Sequence, residues 1–127
     1  MATVTVRYIV NDVESAAGFY CRHLEFTEEM RGGAGFAALS RGDLRLLLST
    51  PGGGGGAGQA MPDGRMPEPG GWNRFAIECA DLAATVDALR AGGARFRNDI
   101  VIGRGGKQIL LEDPSGNRVE LFEPFRS

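Results

Sequence analysis

The stretch Val4-Thr-Val-Arg-Tyr-Ile-Val-Asn-Asp-Val-Glu-Ser-Ala-Ala-Gly-Phe-Tyr-Cys-Arg-His-Leu24 decides the fold, because its hydrophobic period changes once, at Asp12. Before Asp12 the residues are apolar and branched, which reads as a strand. Asn11-Asp12 offers a helix N-cap, since an Asx oxygen accepts from the first free N–H groups. Val13, Ala16, Ala17, Tyr20 and Leu24 then recur at helical spacing and give one apolar face. The same grammar returns later. Arg74-Phe-Ala-Ile-Glu-Cys79 reads as a strand and Asp81 as a cap; Leu82, Val86 and Leu89 line a helix face, and Gly92-Gly93 ends it. Setting Asp12 on Asp81, an offset of 69 residues, puts Tyr8 on Ile77, Val10 on Cys79, Val13 on Leu82 and Tyr20 on Leu89. Apolar falls on apolar each time.

Working outward, the rest of each half repeats as well. Phe36-Ala-Ala-Leu39, a turn through Gly42, and Leu44-Arg-Leu-Leu-Leu48 read as a hairpin. So do Gln108-Ile-Leu-Leu111, the turn Asp113-Pro-Ser-Gly-Asn117, and Arg118-Val-Glu-Leu-Phe122. Gly42 meets Gly116 at an offset of 74, and the five-residue difference falls in a variable stretch carrying one more strand, around 28–31 and 96–100. Each half therefore reads strand, helix, three strands. A ferredoxin-like sandwich shares the opening but needs a second helix per repeat, and no helical period lies between Gly33 and Gly71. The expectation is an α+β fold of tandem βαβββ modules forming one cupped, eight-stranded mixed sheet. The whole chain, 1–127, is then one domain: module 1 over about 1–50, a Gly/Pro linker over about 51–71 and module 2 over about 72–127.

Composition removes several function classes. Net charge is −2, with 14 basic and 16 acidic residues spread along the chain, so no basic stripe supports a nucleic-acid partner. No apolar run approaches membrane length, and the first seven residues do not read as a signal peptide, so a cytoplasmic protein without a membrane partner is expected. Cys21 and Cys79 read as reduced, buried thiols rather than a disulfide framework. Glycine stands out at 20 residues, many within 52–58, a run that reads as a flexible connector. Met61, Met66 and Trp72 flank it and could bring apolar contacts if it closes as a lid. Gly103-Arg-Gly-Gly-Lys107 lacks Walker spacing and a following helix; it reads as a turn between strands rather than a phosphate cradle.

Two stretches carry a family resemblance: Asn11-Asp-Val-Glu-Ser-Ala-Ala-Gly-Phe-Tyr20 with His23-Leu24, and Leu111-Glu-Asp-Pro-Ser-Gly-Asn-Arg-Val-Glu-Leu-Phe-Glu-Pro124. They resemble the vicinal oxygen chelate superfamily, which includes glyoxalase I, extradiol dioxygenases and bleomycin-resistance proteins. The resemblance implies a cup that holds a small ligand. In metal enzymes of that family, the first and last strands of each unit supply His and Glu ligands to a divalent ion. The first-strand ligand lies seven residues before the capping Asp, which here gives Thr5 and Arg74. The last-strand positions become Glu120 and, by the 74 offset, Leu46. Thr is a poor ligand, and Arg carries a permanent positive charge. His23, the one histidine, sits at the helix end, where a cation suits the dipole. No cofactor is expected, and a divalent metal enters only if this ligand register is wrong.

Strand alternation groups Thr5 and Arg7 on one face, Arg74, Ala76 and Glu78 on another, and Arg118, Glu120 and Phe122 together on the last strand. An Arg74–Glu120 ion pair is expected where the family's metal–carboxylate bond stands, since a buried Glu needs a positive partner. The candidate ligand-binding set is Thr5, Arg7, Leu46, Arg74, Glu78, Arg118, Glu120 and Phe122, with Glu120 the one candidate catalytic residue. Tyr8, Phe36, Leu44 and Leu48 are candidate apolar walls, although core packing accounts for most of them. Two readings follow. One is a metal-free binding module, like the bleomycin-resistance proteins, holding a small organic ligand. The other is a small-molecule enzyme of lyase, isomerase or dioxygenase type using Glu120 with or without a divalent metal. A homodimer is the expected assembly, as the commonest symmetric state.

Overall fold

The computed structural model describes residues 4–53 and 56–126. Residues 1–3, Gly54 and Gly55 of the glycine run, and Ser127 lie outside the described residues. The chain divides into two compact units, Met1–Gly70 with Pro114–Asn117, and Gly71–Asp113 with Arg118–Ser127.

In the first unit, β1 (Val4–Ile9) leads through α1 (Val13–His23) to β2 (Thr27–Gly32), β3 (Phe36–Arg41) and β4 (Leu44–Ser49). The sheet order is β1-β4-β3-β2, with β1 and β4 parallel and the other pairs antiparallel. The Asp12 carboxylate caps α1 by accepting from the Ser15 N–H at 3.0 Å. Alternation fixes what each sheet face carries. Tyr8 lies opposite Leu48, which lies opposite Ala37; Leu46 lies opposite Leu39; all are buried, with Val13, Ala16, Ala17 and Tyr20 of α1 covering them. The opposite, open face carries Arg7, Leu47 and Ala38 in one cross-strand row.

This register corrects one expectation. Leu46, assigned to the ligand-binding face, is fully buried on the helix side of the sheet. The residue on the open face is Leu47, which pairs with Arg7 as Glu120 pairs with Ala76. The offset between last strands is therefore 73, not 74. The cause is turn length: Gly42-Asp43 joins β3 to β4, whereas five residues join the corresponding strands of the second unit. A slip of one residue sends a strand's side chains to the other face. Tyr8 and Leu48 are likewise core residues rather than site walls.

The second unit runs β5 (Phe75–Glu78), α2 (Leu82–Ala91), β6 (Arg95–Phe96), β7 (Val101–Ile102), β8 (Gly106–Glu112) and β9 (Arg118–Pro124). Its sheet order is β5-β9-β8-β6, with β7 also paired to β8 and β5 parallel to β9. Asp81 caps α2 by accepting from the Ala84 N–H at 3.1 Å, and the Glu123 carboxylate accepts from the Leu82 N–H at 2.8 Å. Two donors of the first turn are thereby satisfied. Gly93, at φ +91°, follows the helix end. Ile77, Leu82, Val86, Leu89, Ile109, Leu111, Val119 and Leu121 form the core.

The strand expected around 96–100 is two short pieces, so nine strands are described, in sheets of four and five rather than one sheet of eight. Asn98 explains the break: its side-chain oxygen accepts from the Leu110 N–H at 2.9 Å, where a strand carbonyl would otherwise sit. Within the glycine run, Gly52 N–H donates to Gly58 O at 2.7 Å and Gly56–Gly58 forms a 3-10 turn, so its described part is a folded loop rather than an open connector. Among the described residues, Cys21 and Cys79 form no disulfide, and both are half-buried rather than fully buried. Burial, and then the Glu28 charge, pushes the Cys21 thiol above its usual value. Among the described residues, no helix is long and apolar enough to cross a membrane.

Candidate functional site

On β9 the alternation that buries Val119 and Leu121 turns Glu120 and Phe122 to the open face of the second sheet. Ala76 and Leu110 flank Glu120 across the ladder, and Glu78 and Gln108 flank Phe122. Arg74, just before β5, reaches along this face past the short Ala76 side chain. Its Nε and Nη2 both donate to Glu120 Oε1, at 3.2 and 3.0 Å. Its Nη1 donates to the Trp72 carbonyl at 3.3 Å, fixing the third nitrogen. The expected ion pair is formed. Side-chain exposures of 28% for Arg74 and 17% for Glu120 make it a half-buried pair, stronger than a solvated surface bridge but short of a desolvated one. Both bonds converge on one oxygen, so among the described residues Glu120 Oε2 has no hydrogen-bond partner. That oxygen can accept from a ligand hydroxyl or N–H.

Arg118 shares the face but is buried under the segment before β5. Its guanidinium lies 4.3 Å from the centre of the Trp72 ring and donates to the Gly71 carbonyl. Trp72, 72% exposed, presents its other side to solvent. The composition marks Trp72 only as the chain's one tryptophan; its stacking on Arg118 needs the fold to be seen.

Thr5 and Arg7 are exposed on the first unit's open face, where Arg7 Nη1 donates to Ser49 Oγ at 2.8 Å and Arg7, Ser49 and Phe36 line a cavity of about 170 Å³. Glu78 lines a separate cavity of about 260 Å³ with Cys79, Glu123 and Arg126, which includes neither Arg74 nor Glu120. Ser49 and Thr50 escaped the sequence reading; the available signal was a pair of hydroxyl residues closing an apolar strand ahead of Pro51.

The positions that the resemblance would give to metal ligands carry Thr5 and Leu47 in the first unit and Arg74 and Glu120 in the second; a hydroxyl, a hydrocarbon, a cation and one carboxylate are not a donor set that suits a divalent ion. Among the described residues, no three His, Cys, Asp or Glu side chains cluster so as to hold a metal.

Comparison with known proteins places this geometry in context. The family model described as Glyoxalase/Bleomycin resistance protein/Dioxygenase superfamily matches residues 3–121. No curated protein sequence matches the chain. Among solved structures, lactoylglutathione lyase from Agrobacterium tumefaciens is 18% identical with a TM-score of 0.75, covering 96% of this chain and 92% of its own. A superfamily member from Sphaerobacter thermophilus DSM 20745 is 24% identical with a TM-score of 0.74, covering 97% and 98%. TnmS3, an antibiotic binding protein from Streptomyces sp. CB03234, is 21% identical with a TM-score of 0.73, covering 98% of each chain. At these identities the likeness is one of fold.

Proposed function

Because the chain belongs to the Glyoxalase/Bleomycin resistance protein/Dioxygenase superfamily, we propose that it binds a small organic ligand without a metal, at the face carrying Arg74 and Glu120. The observation that carries this reading is the Arg74–Glu120 pair, an internal cation–carboxylate contact at positions the family's metal enzymes give to ligands. Glu120 Oε2 would accept from the ligand, and the exposed Trp72 ring would stack against a flat part of it. TnmS3, which shares the fold, is an antibiotic binding protein, and that likeness supports an antibiotic-like small molecule as the ligand here.

Elemental analysis of protein purified without chelators tests the metal-free part: stoichiometric zinc, iron or manganese would overturn it. Titration with a panel of aromatic antibiotics, read by Trp72 fluorescence, tests the binding. A saturable change that Arg74→Ala weakens by about tenfold or more is expected; saturation unaltered by that change would put the ligand elsewhere.

The unengaged Glu120 oxygen favours a second reading, an enzyme using that carboxylate as a base. Under it, Glu120→Gln keeps ligand affinity and stops turnover. We further propose a cytoplasmic homodimer, for which light scattering should give twice the 13.5 kDa chain mass.

A further inference from the structure

The cavity of about 170 Å³ in the first unit shares no residue with the Arg74–Glu120 face, and its chemistry is one-sided. Arg7 forms no ion pair among the described residues, and its one side-chain hydrogen bond there goes to Ser49 Oγ at 2.8 Å. Ser49, 5% exposed, uses its oxygen as that acceptor, so its own proton remains to donate into the cavity. Thr50 adds a second hydroxyl to the lining. The nearby carbonyls are engaged by the loop itself: Thr50 N–H donates to Gly35 O at 3.1 Å, Gly53 N–H to Thr50 O at 3.0 Å and Gly52 N–H to Gly58 O at 2.7 Å.

Glycine is needed where this loop closes on Thr50. A Cβ on Gly53 would come within 2.7 Å of Thr50 Oγ1, and one on Gly58 within 2.6 Å of Thr50 O. Arg7 and the Ser49 and Thr50 hydroxyls thus offer donors to the cavity, and among the described residues Arg7 is the one charged residue of its lining. Phe36 supplies a half-buried aromatic wall beside them.

We propose that this cavity binds the carboxylate of a small monoanionic ligand, with Arg7 and the Ser49 hydroxyl on the oxygens and Phe36 against the ligand's apolar body. A guanidinium fork matches a carboxylate in shape and charge. The volume is below the roughly 300 Å³ at which drug-sized sites begin, so it suits a carboxylate on one small ring or short chain. The assignment does not rest on the Arg74–Glu120 reading, because no residue is common to both.

The test uses benzoate as probe, with benzyl alcohol as its uncharged counterpart and inorganic phosphate as an anion without an apolar body. Amide chemical shifts of the full chain are followed during each titration. Benzoate should saturate and move Phe36, Ser49 and Thr50, while benzyl alcohol and phosphate bind at least about tenfold more weakly. Arg7→Gln should weaken benzoate by about tenfold or more, and Arg7→Lys by less, since a point charge keeps attraction but loses the fork. Should Arg7→Gln lose its folded spectrum, Ser49→Ala carries the same test, with a loss of several-fold. Failure of benzoate to saturate, shifts confined to other residues, unchanged affinity in these variants, or phosphate or benzyl alcohol binding as tightly would each overturn the assignment.

Discussion

Leu46 and Leu47 are chemically identical neighbours whose roles differ entirely. Leu46 is fully buried on the helix side of its sheet, while Leu47 lies half-exposed on the open face opposite Arg7. Truncating Leu46 removes core contacts and leaves a cavity, so Leu46→Ala should cost about 2–5 kcal/mol in urea unfolding. Leu47→Ala should cost about 1 kcal/mol or less, since less area leaves the core. Equal losses would contradict the register. The pair also shows where residue-level reading of the sequence stops. Arg74 and Glu120 were legible as partners through the family resemblance, which sets both at ligand positions, together with the need of a buried Glu for a positive partner. The Leu46 assignment failed by one position, because a turn's length cannot be read to the residue from its glycine.

At the scale of elements, the helices were the clearest part of the sequence, since cap, apolar stripe and terminating glycines agree. The cap at Asp12 has a measurable consequence. The Ser15 backbone N–H, and then its hydroxyl, hold the Asp12 carboxyl below its ordinary value of 3.8. A depressed folded-state value means stabilisation that is present above the unfolded value and is lost as pH falls through the folded one. The melting temperatures of wild type and Asp12→Ala should therefore differ at pH 7 and converge as pH drops below about 3.8. A gap that holds constant with pH would assign the cap to the wrong group. Short strands were harder to read. The break at Asn98 follows from one side chain supplying the hydrogen bond that β8 would otherwise take from a strand, and nothing in the local pattern distinguishes that Asn from a turn residue.

At the scale of the whole molecule, the chain passes between its two units three times, at residues 70/71, 113/114 and 117/118. The Pro114–Asn117 turn belongs with the first unit, although β8 and β9 on either side belong to the second. Within the first unit, Asn117 Nδ2 donates to Ile9 O at 2.8 Å, its Oδ1 accepts from Gly70 N–H at 2.7 Å, and Ser115 Oγ accepts from Asn11 N–H at 2.8 Å. Asn117 is 3% exposed, so Asn117→Ala should leave shielded backbone groups unsatisfied and lower stability by about 1–3 kcal/mol. Stability unchanged in denaturant would show the turn to be solvated. The sequence had marked Asp113-Pro-Ser-Gly-Asn117 as a hairpin turn and a family signature; it held no sign that the amide of Asn117 anchors the end of β1.

By itself the sequence determined the α+β class and both helices with their capping residues, and through its family resemblance it pointed to the partnership of Arg74 with Glu120. The first two depend on short-range period and on residue chemistry, which a linear pattern records; the third depends on a motif whose positions the resemblance supplies. Only the tertiary structure decided that Leu47 rather than Leu46 faces outward, that one expected strand is broken, and that Arg7, Ser49, Thr50 and a folded glycine turn enclose a donor-lined cavity. These depend on turn length, on single side-chain hydrogen bonds and on approaches between backbone atoms distant in sequence, none of which leaves a periodic trace.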